Sequence, residues 1–219
     1  MGRPPLGKEQ KRAVMQSLIT AAEDIILTEG IENATIRGVA NRVGVNSAVL
    51  YRFFRDRNEL LVFASLNYFK DYCVRLSEKL HSTDAIRTES GIYYLTWEIF
   101  CEYGFQEPQM TELLFFSEYS SRLPDIIKVY MDLFPEVLKG IDGDVRNMLT
   151  SGTLKKRNLE VLGPLLTGKT SQENIENINE LSVGYFCYML ENSCETLSVE
   201  EKKTRMMRTL HYLTDFYLV

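Results

Sequence analysis

The chain is poor in the residues on which catalytic and metal chemistry usually rests. Among its 219 residues are two histidines, His81 and His211, far apart and without clustered Cys or carboxylate neighbours, so no metal-ligand set is expected. The four cysteines, Cys73, Cys101, Cys187 and Cys194, sit inside apolar helical patterns with no C-x-x-C spacing and read as buried, reduced thiols. No nucleophile stands in a pattern that also supplies its base, so neither catalysis nor a cofactor is expected. No stretch reaches ~18 consecutive apolar residues. The opening MGRPPLGKEQKRAV also lacks the apolar centre of a signal peptide, so a soluble cytoplasmic protein with no membrane partner is expected. Positive charge is short as well: the net charge is −5, which taken alone argues against a nucleic-acid partner.

What is present reverses that last inference. With 45% hydrophobic and 25% charged residues the chain has the makings of a folded, soluble core. Its charge is unevenly spread: residues 1–57 hold nine Lys and Arg against six Asp and Glu, and the remainder holds sixteen against twenty-four. A basic N-terminal module on an acidic body fits a DNA reader attached to a part that need not touch DNA. Gly2-Arg3-Pro4-Pro5, with Lys8, Lys11 and Arg12, adds a basic arm suited to phosphates or a minor groove. A helix is expected from about Lys8 to Thr28, ended by Gly30.

The stretch Ala34–Leu61 carries the strongest pattern. Thr35 is a good N-cap, and Ile36, Val39, Ala40 and Val43 follow at helical spacing. Gly44 stands where a turn needs positive φ, Asn46 can cap a second short helix, and Leu50 and Phe54 share one side of it. A small residue at Ala40, a glycine at 44 and an apolar plug at Leu50 are what a helix-turn-helix needs at those offsets. Ser47, Ala48, Tyr51 and Arg52 then face outward, a composition suited to a major groove. Asp56 and Glu59 form a capping box that opens a long third helix reaching about His81.

Val45-Asn46-Ser47-Ala48-Val49-Leu50-Tyr51-Arg52-Phe53-Phe54, followed by Arg57, resembles the recognition helix of the TetR family of transcriptional regulators, and the likeness covers about the first sixty residues. The resemblance implies an all-α protein: a helix-turn-helix DNA-binding domain at 1–55, and a larger helical effector-binding and dimerisation domain at 56–219. It implies double-stranded DNA, a small-molecule effector and a second copy of the chain as partners. Thr35, Arg37, Tyr51 and Arg57 would meet phosphates, while Ser47, Ala48 and Arg52 would face bases, Arg52 suiting guanine. Phe53 departs from the family pattern, which has His there and thus a phosphate donor. Ala48 and Val49 replace Gly and Thr, making the face better suited to thymine methyls.

Beyond residue 84 the pattern stays helical and aromatic. Residues 88–105 are apolar nearly all round, which marks a central helix, and Pro108 and Pro124 open two more. Pro135 should end or kink the second of these. The resemblance implies that such helices enclose an effector pocket. Candidate lining residues are Trp97, Phe100, Tyr103 and Met110, followed by Phe116, Tyr119, Tyr130 and Phe134; ordinary core packing is the alternative for each. Few charges fall within these stripes, which favours a flat, apolar effector over an anionic one.

Gly163-Pro164-Leu165-Leu166-Thr167-Gly168-Lys169-Thr170 matches the phosphate-binding pattern G-x-x-x-x-G-K-[ST]. A P-loop must leave a β-strand of a parallel sheet, and the 49 residues that follow read as two helices. Pro164 also removes an N–H from any phosphate cradle. The mundane account is a helix-linking loop with Thr170 and Glu173 as a capping box. The two C-terminal helices, the second capped by Ser198 and Glu201, carry apolar faces that can pair with a second copy into a four-helix bundle. Two readings stand beside a ligand-responsive repressor: nucleotide binding through Lys169, and a helical interaction module whose helix-turn-helix reads nothing.

Overall fold

A computed structural model of the chain describes residues 7–82, 88–192 and 196–217; the Gly2–Pro5 arm and Cys194 lie outside them. The described residues form helices α1 (Lys8–Glu29), α2 (Ile36–Val43), α3 (Arg57–Ser82), α4 (Glu89–Gln106) and α5 (Pro108–Phe115), then α6 (Leu123–Leu133), α7 (Gly143–Thr150), α8 (Leu154–Leu166), α9 (Gln172–Asn192) and α10 (Val199–Tyr217). Among the described residues there is no named strand, and the all-α class is as expected. No described helix is long and apolar enough to cross a membrane.

The elements begin and end for local reasons. Thr35 caps α2 by accepting a hydrogen bond from the Gly38 N–H at 3.0 Å, which satisfies one of the free donors of a helix start. Gly44 closes α2 at φ 75°, and its N–H returns to Ala40 and Asn41; a side chain there would be strained. Pro108 and Pro124 stand in the first turns of α5 and α6, where their missing N–H costs nothing. Pro135 follows the end of α6 at Leu133 and starts a single 3₁₀ turn. Ser198 and Glu201 cap α10 reciprocally, at 2.8 and 3.2 Å. The cap of α9 differs from expectation by one residue: Ser171 Oγ accepts from the Asn174 N–H, while Thr170 is taken up in the turn around Gly168 and bridges to Thr167.

Packing joins the two halves through α3. Leu18, Ile19, Ala22 and Ile25 of α1 pack on α3 together with Val39, Ala40, Leu50 and Phe54. Further along, α3 packs on α4, α5, α6 and α7. As its apolar circumference implied, α4 is central and touches α3, α5, α8 and α10. Phe186 of α9 is fully buried beside Trp97, Phe100 and Phe105, with ring centroids 4.9 to 5.7 Å away. Gly104 permits that approach, because a Cβ there would lie 2.7 Å from the Phe186 ring.

Candidate nucleic-acid interface and effector cavity

The stretch after Gly44 is helical but tighter than an α-helix. Ser47–Arg52 is a six-residue 3₁₀ segment, with the Asn46 side chain accepting from the Ala48 N–H at 2.8 Å. So short a segment gains little from i→i+4 bonds, and i→i+3 bonds close it instead. Three residues per turn then sort its side chains. Leu50 is fully buried and Ser47 and Phe53 are half-buried on its side, whereas Ala48, Tyr51 and Arg52 are exposed, Tyr51 by 61%. Thr35 and Arg37 are exposed at the start of α2. Of the residues expected to face DNA, Ser47 and Arg57 are half-buried. Phe53, in place of a polar residue, packs on that core with its ring 6.5 Å from Phe54.

Arg57 does something that the sequence does not announce. Its guanidinium folds back under the turn between α1 and α2: Nε donates to the Ala34 carbonyl at 3.0 Å, and Nη2 donates to Ile31 at 2.7 Å and Glu32 at 3.3 Å. Three of its five N–H groups are thereby engaged, which leaves Nη1 as its outward donor. Arg12, expected to extend the basic arm, instead pairs with Asp132 at 3.2 Å and donates to the carbonyls at the end of α6. Arg42 pairs with Glu29 at 3.1 Å.

Immediately beyond the helix-turn-helix, the start of α3 is tied to the segment between α5 and α6. Asp56 Oδ1 accepts from the Glu59 N–H at 3.0 Å, and Glu59 Oε2 accepts from the Arg55 N–H at 2.6 Å, the expected capping box shifted to the residue before the cap. Tyr119, itself 1% exposed, donates its hydroxyl to Asp56 Oδ2 at 2.5 Å. Arg122 pairs with the buried Glu59 at 3.0 Å and lies over the Tyr119 ring. Burial alone would raise the Asp56 carboxyl, but the Tyr119 hydroxyl and the N–H groups of Glu59 and Asn58 outweigh it and hold it below the usual range.

A cavity of about 30 Å³ lies between α3, α4, α5, α7 and α8. Its walls include Phe69 and Tyr72 of α3, Trp97 and Phe100 of α4, Phe115 of α5 and Arg157 of α8. Two of the eight expected lining residues, Trp97 and Phe100, are there. Tyr130 lines a second small apolar cavity, its ring tilted against that of Phe134 with centroids 4.8 Å apart. Tyr103, Met110 and Phe116 pack in or against the core instead, and Tyr119 serves the link to Asp56. Phe69, Tyr72, Phe115 and the α8 residues stand in this wall although their spacing marks them only as core. One signal was available: Leu154, Val161 and Leu165 make an apolar stripe in which Arg157 and Asn158 occupy core positions.

The P-loop match does not fold as one. Gly163–Leu166 form the last turn of α8, so their N–H groups run along a helix and cannot cradle phosphates; Lys169 Nζ donates to the Leu165 carbonyl at 2.7 Å. The described residues contain no group of three or more His, Cys, Asp or Glu able to hold a metal. Cys73 and Cys101 are buried and Cys187 half-buried; burial raises all three thiols above their ordinary range, Cys187 to about 11.

Residues 18–62 match the model of the bacterial regulatory proteins, tetR family. No curated protein sequence matches the chain. Among solved structures it is similar to RolR in complex with resorcinol, at TM-score 0.58 and 12% identity over 96% of each chain. FadR of Thermus thermophilus, a TetR-family transcriptional repressor in complex with lauroyl-CoA, superposes at TM-score 0.53 and 16% identity, over 90% of this chain and 92% of that one. A protein of Syntrophomonas wolfei assigned to the TetR-family transcriptional regulators gives TM-score 0.53 and 16% identity, over 95% and 97%. At these identities the likeness is one of fold, and the reading head is where sequence and fold agree.

Proposed function

We propose that this chain, a TetR-family transcriptional regulator, is a repressor that binds operator DNA as a homodimer and lets go when a small ligand enters the α3–α8 cavity. The observation that carries the reading is the exposed face of Ser47–Arg52, set behind the left-handed turn at Gly44 inside the segment that matches the family. Arg52 and Ala48 read bases there, with Ser47 at the edge of the face; Thr35, Arg37 and Tyr51 hold phosphates. Arg57 contributes at most its Nη1 to the backbone and otherwise fastens the turn before α2. The DNA-reading part is 1–55, and the effector and dimer part is 56–219.

The partner copy sits on α9 and α10. Leu181, Tyr188 and Tyr212 are 51 to 67% exposed on these helices, and nothing lies within 4 Å of a Cβ built at Gly184 between the first two. An apolar stripe with a glycine at its centre suits close approach by a symmetry-related helix.

The cavity has room for one or two waters at most; a ring needs far more, on the order of the 150 Å³ that admits benzene to an engineered cavity. A ligand therefore binds an expanded state better than the present one, and that difference in affinity is what it can spend on moving the head. Phe115 in the cavity wall is four residues from Tyr119, which holds the start of α3, so displacing α5 loosens the Asp56 and Glu59 contacts. From Arg57 to Tyr72, α3 is a lever of roughly 22 Å. Each degree of tilt moves its far end by about 0.4 Å, against a half-site spacing of about 34–36 Å that the two heads must match. The test is fluorescence anisotropy with DNA from upstream of the gene and a scrambled control at several salt concentrations. Equal affinity for both sequences would sink the reading.

A further inference from the structure

The wall of the cavity holds one feature that an apolar effector would leave unused. Arg157 is 4% exposed, and among the described residues no carboxylate stands within ion-pair distance of it. Its Nε donates to the Gly152 carbonyl at 3.0 Å and its Nη2 to the Leu149 carbonyl at 2.7 Å, which fixes the guanidinium plane. The Phe69 and Phe115 rings flank it, 5.8 and 5.6 Å from Cζ. Nη1 is buried and has no acceptor among the described residues, and of the buried donors in that state it is the one on a cavity-lining residue.

Three other polar residues of the wall, Trp97, Asn158 and Thr96, are already paired, while the Tyr72 hydroxyl makes no hydrogen bond among the described residues. Trp97 Nε1 donates to Asn158 Oδ1 at 2.8 Å, Asn158 Nδ2 donates to Asn179 at 2.8 Å, and Thr96 Oγ1 donates to the Ile92 carbonyl. Burial pulls the Arg157 guanidinium down to about 10, which leaves it charged at neutral pH and poorly solvated. Glu160, three residues along α8, opposes that shift without forming an ion pair, and a buried cation with no directly paired carboxylate is costly unless something supplies one.

We propose that the effector is a small ring-bearing carboxylate, its ring held among Phe69, Trp97, Phe100 and Phe115 and its carboxylate accepting from Arg157 Nη1. This rests on the reading of the α3–α8 cavity as the effector site, and it replaces the expectation of an uncharged effector. The preference has a physical basis: a charge-assisted hydrogen bond in a water-poor site gains more than a neutral one, and the amide of the same acid adds an N–H donor where the wall already offers one.

The test uses the full-length protein and two probe pairs, benzoate with benzamide and 3-phenylpropionate with 3-phenylpropionamide. Dissociation constants come from calorimetry and midpoints from thermal melts. Each acid should bind about tenfold or more tighter than its amide, the ratio that a charge-assisted bond supplies. Arg157→Lys should shrink that ratio toward one, and Val161→Phe, which fills the cavity one helical turn from Arg157 and keeps the guanidinium, should abolish binding of both members. Should Arg157→Lys fail to fold, the wild-type ratio decides alone. Amides binding as tightly as acids, with Val161→Phe still blocking both, would overturn the carboxylate and leave the cavity as effector site. Binding that Val161→Phe does not touch, or none by any probe, would overturn the cavity reading and this inference with it.

Discussion

Removing a single oxygen tests the proposed link between cavity and reading head. In Tyr119→Phe the ring keeps its packing at 1% exposure, and only the donor to Asp56 Oδ2 is lost. A hydrogen bond to a charged acceptor contributes roughly 1.5–3 kcal/mol. Asp56 is half-buried and keeps the Glu59 N–H at 3.0 Å, and water can replace part of the loss, so about 1–2 kcal/mol is the expected cost. In a chain of this size that lowers Tm by about 2–8 °C. The sign with pH follows from the depressed carboxyl. A native pKa held below the unfolded value contributes stability above the unfolded pKa and loses it as pH falls through the native one, so the gap between variant and parent should close below about pH 4. The functional readout is separate: free of ligand, Tyr119→Phe should weaken operator binding, and ligand should change the affinity by a smaller factor than in the parent. Melts from pH 3 to 8 and anisotropy with and without ligand measure both. A variant with parental Tm, parental DNA affinity and a full ligand response would refute the link between α5 and α3.

Arg57→Ala should cost about 1–3 kcal/mol in a thermal melt, because it removes the guanidinium that ties the Ile31, Glu32 and Ala34 carbonyls together, with little change in the salt slope of DNA binding. Arg52→Ala, at an exposed position, should leave Tm within about 1 °C and relax base preference at one operator position by about 1–3 kcal/mol in a competition assay. Gly44→Ala places a side chain at φ 75° and should cost about 1 kcal/mol, seen as a lower denaturation midpoint with the slope unchanged. Leu181→Glu with Tyr188→Glu should yield a monomer by sedimentation and abolish tight operator binding, since a single head loses its paired half-site.

Much of the reading head is legible in the chain because its determinants are local. Thr35 as cap, Gly44 in the left-handed turn and Leu50 as plug need only backbone preference and spacing, and each stands where its residue type requires. The same holds for the prolines that open α5 and α6 and for Pro135 after α6. A one-residue error at Ser171 shows the limit of such signals, since adjacent hydroxyl residues compete for one cap and the turn at Gly168 decides between them. Spacing likewise fixed that Ser47–Arg52 is helical but not its 3₁₀ tightness, which turns Ser47 toward the core.

Side chains that reach across the chain were decided by tertiary structure alone. Arg57 reads as a phosphate anchor until the turn 23 to 26 residues earlier offers it three carbonyls. Tyr119 reads as a pocket lining until Asp56, 63 residues away, accepts a hydrogen bond from its hydroxyl. Arg157 shows the difference best. Its place in an apolar stripe was visible, but whether a buried guanidinium is cancelled by a carboxylate depends on which helices surround it. Periodicity along the chain fixes which face of a helix is buried. What that face meets is set by the packing of other helices, and a single sequence does not encode it in any local pattern.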